Sequence, residues 1–135
     1  MSSTTPKNID RTQGILPQKE KGSLQPIPCK AVEEERRMQL ERLAAGFRLF
    51  ALYGFDEGLA GHITYRDPEF KDHFWVNPLG VNFAQICISD LLLVNEGGSI
   101  IQGERPLNPA AFSIHSAIHK SRPDANSAAH AHSIY

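Results

Sequence analysis

Of the six histidines in this 135-residue chain, His115, His119, His130 and His132 fall within eighteen positions. Imidazole is the side chain best suited to moving a proton or ligating a metal near neutral pH. In Ala129-His130-Ala131-His132 the rings are two residues apart, so on a strand they share a face and could share one divalent ion. The alternative is the polar face of an edge strand. His115 and His119 are four apart, which puts them on one face of a helix. That helix lacks the adjacent glutamate of the zinc-protease pattern, so the pair is expected to pack on a sheet with a ring nitrogen bonded to a backbone carbonyl. Gly58-Leu59-Ala60-Gly61-His62 precedes a strand rather than a helix, the wrong setting for a dinucleotide or P-loop fingerprint. It reads as a turn needing positive φ. Asn77-Pro78-Leu79-Gly80 reads the same way.

These residues need a frame, and the hydrophobic pattern supplies one. Leu40, Leu43, Ala44, Phe47, Phe50 and Ala51 recur at helical spacing behind the acidic triplet Glu33 to Glu35, and Gly54 is the stop. Short strands are expected at His62 to Arg66, His73 to Asn77, Leu91 to Asn95, Ser99 to Gln102 and Asn126 to His132, each bounded by Gly, Pro or Asp. Asn108-Pro109 is an N-cap with proline at the first helical position, opening a second helix to Lys120. Arg122-Pro123-Asp124 ends it. Strands with interspersed helices but no regular alternation predict a mixed α/β or α+β sheet domain. Trp75, Phe74, Phe83 and Tyr65 are assigned to the core.

Composition narrows the function classes. With 14 basic and 15 acidic side chains and a net charge of −1, the chain has no electrostatic footprint for nucleic acid or an anionic membrane. No apolar run approaches the roughly 20 residues that span a bilayer. The N-terminus lacks the pattern of a secretory signal, so the expected compartment is cytoplasmic. Cys29 and Cys87 are expected to be reduced thiols. Residues 1–30 hold four of the nine prolines and few large apolar residues, and are expected to form a disordered leader to a domain at 31–135.

The ordered set GLAGHITYRD, DHFWVNPLGVNF, ISDLLLVN and NPAAFSIHSAIHKSRPDANSAAHAHS resembles the class II aldolase/adducin N-terminal domain, over about residues 36 to 135. The resemblance implies a three-layer α/β/α domain around a largely antiparallel sheet, assembled into homo-oligomers in catalytic members. Those members cleave phosphorylated sugars, with zinc as a Lewis acid. It further implies metal ligands at His130 and His132, with His115 as a further candidate, and substrate contacts at Gly61, His62, Leu79 and Gly80. The adducin-like branch, to which the HFWVNP segment is closer, implies an actin-cytoskeleton partner.

Against the family pattern, Ala111 occupies the position of the catalytic acid, and Pro109 and Ala110 replace phosphate-binding serines. His62 stands where asparagine is expected. A third, distant zinc histidine lies downstream of the matched segment in the family, so the chain is expected to be a partial domain with an incomplete zinc site and little aldolase activity. The catalytic residue stays unassigned.

Overall fold

A computed structural model describes residues 31–134; the expected leader and Cys29 lie outside them. Helix α1 (Val32–Leu52) begins with Glu33, Glu34 and Glu35, whose charge suits a helix N-terminus. Gln39, Leu43 and Phe47, four residues apart, form its buried stripe, and Gly54 ends the segment at φ 74°. Strands β1 (His62–Arg66), β2 (His73–Val76), β3 (Leu92–Asn95) and β4 (Ile100–Gln102) follow, with two 3-10 turns at Phe83–Gln85 and Ile88–Asp90. Helix α2 (Pro109–Ser121) leads into β5 (Ser127–His130). The sheet order is β4-β3-β2-β1-β5, and every pairing is antiparallel.

Strand alternation divides the core into two layers. Trp75 and Leu93 point to one face, where Leu43 and Phe47 of α1 meet Ile63, Phe83 and Ile86. Phe74, Val76, Leu92 and Val94 point to the other, against Ala111 of α2. Helix, sheet and helix thus form the expected three layers, with Phe74, Trp75 and Phe83 in the core.

Asn108 caps α2 as expected, its Oδ1 accepting from the backbone N–H of Ala110 at 3.0 Å and of Ala111 at 3.5 Å. Strand β5 is shorter than the sequence suggests. It leaves the ladder after His130, and His132 instead forms an isolated bridge with Asp56 while its carbonyl accepts from Glu57 N at 3.1 Å.

At the end of β1, Asp67 is fully buried and binds three elements together. Arg36 of α1 grips it in a two-point fork at 2.8 and 3.1 Å, and Trp75 of β2 donates its indole N–H at 2.9 Å. Cys87 is a free, exposed thiol. Among the described residues no helix is long and apolar enough to cross a membrane.

Candidate metal centre

Antiparallel pairing sets His62 directly opposite His130, and residues directly opposite on paired strands share a face. The ring centroids are 4.9 Å apart. His132 lies on the same side despite having left the strand, its ring 4.7 Å from that of His130 and nearly parallel to it. His62, His130 and His132, together with Leu79, Asn108 and Ile114, line a cleft of about 590 Å³. The expected His130–His132 pairing on one side of the sheet edge is thus present, and β1 adds a third ring to it.

Behind this cleft is a buried polar layer. His62, Thr64 and Arg66 alternate onto the same side of β1, facing the stripe Ala111, His115 and His119 of α2. Thr64 Oγ1 lies 2.7 Å from His115 Nδ1 and 2.8 Å from His119 Nε2. A hydroxyl has one proton, so at least one of these rings donates to it. Both histidines pack on the sheet as expected; they share this hydroxyl as a partner, and the backbone of Ala125 also acts on His119. Arg66 closes the layer, donating to the His119 carbonyl at 2.7 Å. Thr64 escaped the sequence reading, although its place two residues after His62 on a strand was the signal.

Burial keeps these rings neutral. It pushes His115 down to about 4, with His62, His119 and His130 adding to the effect. The same desolvation lowers His62 against the Ala60 carbonyl, which favours the charged ring. His119 is lowered by burial and then by the Arg66 charge. Neutral imidazole is the form that ligates a metal, and imidazole nitrogen suits several divalent ions. His62 Nε2 is also a buried atom without a hydrogen-bond partner. Among the described residues no group of three or more His, Cys, Asp or Glu side chains is placed to hold a metal ion.

The remaining expected site residues separate. His62 and Leu79 line the cleft; Gly61 lines a different small hollow beside Phe55 and Val81. A Cβ on Gly61 would stand 2.7 Å from the Phe83 ring, so glycine there lets β1 start close against the core. Gly80 supplies the turn, at φ 83°. Asn77, also missed from sequence, holds this corner, with Nδ2 donating to Gly61 O at 3.2 Å and Oδ1 accepting from Ile63 N at 3.3 Å. His115 is 1% exposed and sits behind His62, outside the cleft lining. Ala111 is 0% exposed and belongs to the apolar cluster with Phe74 and Leu92.

Residues 41–135 match the family described as "Class II Aldolase and Adducin N-terminal domain". The chain belongs to that family. It is 44% identical over 102 residues to the meiotically up-regulated gene 14 protein of Schizosaccharomyces pombe, covering 75% of this chain and 40% of that one. It is 42% identical over 113 residues to the decarboxylase NovR of Streptomyces niveus, covering 82% and 42%. Rat alpha-adducin matches at 38% over 94 residues, 67% of this chain and 13% of that one. Among solved structures, the L-fuculose 1-phosphate aldolase from Glaciozyma antarctica PI12 superposes with a TM-score of 0.78 at 50% identity, covering 82% of this chain and 46% of that one. The class II aldolase/adducin domain seen here therefore spans about two fifths of the length of the first two relatives.

Proposed function

We propose that this chain carries a divalent-cation site, filled by zinc, in a class II aldolase-like domain that by itself cleaves phosphorylated sugars poorly. The observation that supports it is the gathering of three imidazoles, His62, His130 and His132, on one cleft. His130 and His132 would hold the ion. When bound, zinc polarises a substrate carbonyl and stabilises negative charge that develops on its oxygen.

The chain's own residues set what can be done around that centre. Among the described residues no lysine or arginine lines the cleft, and Leu59, Leu79 and Ile114 give it apolar walls. A phosphate entering it would meet no basic side chain among the described residues. Ala110 faces it with a methyl group, and Asn108 spends its side-chain oxygen on the helix cap. The acid position, Ala111, lies in the core. A positioned general acid or base typically contributes about 10²–10⁴ in rate, and none is supplied from α2 here. This reading carries with it a cytoplasmic location, assembly of like subunits and a small phosphorylated sugar as ligand. The alternatives are an active zinc-dependent lyase on phosphorylated sugars and an interaction module with the cytoskeletal partner of the adducin branch.

Zinc calorimetry on the full chain and on the His130→Ala, His132→Ala double variant tests the site. Binding to the parent and loss in the variant is the expected result; equal binding in both would place the ligands elsewhere. In the same preparation, turnover of phosphorylated ketoses above about 1 s⁻¹, the lower end of ordinary enzyme rates, would overturn the low-activity reading.

A further inference from the structure

The stop of helix α1 accounts for one exposed aromatic ring and leaves three large side chains without a purpose. Gly54, at φ 74°, turns the chain back so that its N–H donates to Ala51 O at 3.0 Å and the N–H of Phe55 donates to Phe50 O at 2.9 Å. These are the two bonds of a Schellman stop, and the Phe55 ring beside that of Phe50, centroids 6.0 Å apart, is its usual apolar companion. Leu49, Leu52 and Tyr53 do nothing for this stop. Leu52 is 76% exposed and Tyr53 74%. Leu49, Phe50, Tyr53 and Phe55 wall an open hollow of about 340 Å³. Leu49, Leu52, Tyr53 and Phe55 together leave roughly 500 Å² of largely apolar surface in water, the size of the largest patch on a typical monomer and one that often has a function.

We propose that a second copy of this chain docks on the patch, through a two-fold contact between the C-terminal ends of two antiparallel α1 helices. A two-fold contact needs a surface that complements itself. This one holds both parts, the exposed Leu52 side chain and, next to it, a hollow of apolar residues. The flanking charges are of both signs. Arg42 is exposed on the same helical stripe as Ala45, Leu49 and Leu52, while Asp56 and Glu57 follow the end of the helix. Among the described residues none of Arg42, Asp56 and Glu57 forms an ion pair. Antiparallel helices bring each Arg42 toward the Asp56-Glu57 corner of the other copy; parallel ones would set Arg42 against Arg42. A standard interface buries about 800 Å² on each partner, with an apolar centre and a polar rim, and the patch with its flanking charges has that composition. The inference rests on the assembly of like subunits named above and gives that assembly its surface.

Sedimentation equilibrium on the full chain, from about 1 to 100 μM, measures the association. A reversible dimer is expected. Leu52→Asp should weaken it at least about thirtyfold, the loss at the threshold of an interface hot spot, and should keep the parent's circular dichroism spectrum because the residue is on the surface. Arg42→Glu alone should weaken it about threefold to tenfold, and Arg42→Glu combined with Glu57→Arg should recover the parent's value. Assembly indifferent to Leu52→Asp would overturn the inference and leave the assembly of like subunits standing. A parent that is monomeric at the top concentration would remove both. A photo-reactive residue substituted for Leu52 gives a second readout: capture of residues 42–57 of another copy is expected, and capture of residues 1–30 of its own chain would assign the patch to that segment and overturn the inference.

Discussion

Replacing Asp67 by asparagine tests how β1, the strand that carries His62 at its other end, is held. Every group touching the carboxylate is a donor. Arg36 Nε at 2.8 Å and Trp75 Nε1 at 2.9 Å meet Oδ2; Arg36 Nη2 at 3.1 Å and the backbone N–H groups of Glu69 at 2.9 Å and Phe70 at 3.0 Å meet Oδ1. An amide keeps the shape but turns one acceptor into a donor facing donors. Burial alone would raise this acid, yet Arg36 and the N–H donors override it and hold the pKa at about 2, against 3.8 ordinarily. At 1.36 kcal/mol per unit, that depression contributes about 2 kcal/mol at neutral pH. Because the folded pKa is depressed, the stabilisation is present above the unfolded value and is lost as pH falls from about 4 toward 2. Breaking a buried pair from one side typically costs about 3–5 kcal/mol, so Asp67→Asn should destabilise by about 2–5 kcal/mol at pH 7. Urea denaturation of the full chain and its variant, repeated from pH 7 to pH 2.5, is the assay. The buried histidines lower stability as pH falls below 6.5, but they do so in both proteins and cancel in the difference. The gap should be level down to about pH 4 and then narrow. A gap under about 0.5 kcal/mol at pH 7, or one that ignores pH, would refute the argument.

Three further substitutions probe the site's support. Ala111→Glu, which would rebuild the family acid, should yield no gain in retro-aldol turnover and a loss of several kcal/mol in denaturation, because the carboxylate would enter the cluster of Phe74, Val76 and Leu92. Restored turnover with a stable fold would show that α2 can present this position to the cleft. Thr64→Val should cost about 1–3 kcal/mol by depriving His115 and His119 of their shared hydroxyl, and proton NMR of the two imidazoles should show new environments for both. Gly61→Ala should cost about 1–3 kcal/mol through overpacking against the Phe83 ring; a melting temperature equal to the parent's would mean that ring yields freely.

Much of this domain is legible without coordinates because its local signals agree. The 3.6-residue stripe ending at Gly54, the Asn108-Pro109 cap and the punctuated apolar runs locate both helices and all five strands within a residue or two. The nearness of His130 and His132 is also suggested by their spacing, although β5 ends at His130 and the bridge of His132 to Asp56, a tertiary contact, accompanies its place beside that ring. What lay beyond the sequence is every relation that depends on which strand pairs with which. The β1–β5 register makes His62 a neighbour of His130, although 68 positions separate them. The same register, with α2 laid across it, turns Thr64 into the hinge between His115 and His119, and turns Ala111 into core. Asp67, Arg36 and Trp75 are ordinary residues in the one-dimensional text and a single buried knot in the fold. Periodicity reports the face a side chain takes relative to its own backbone; only tertiary packing decides what stands on that face.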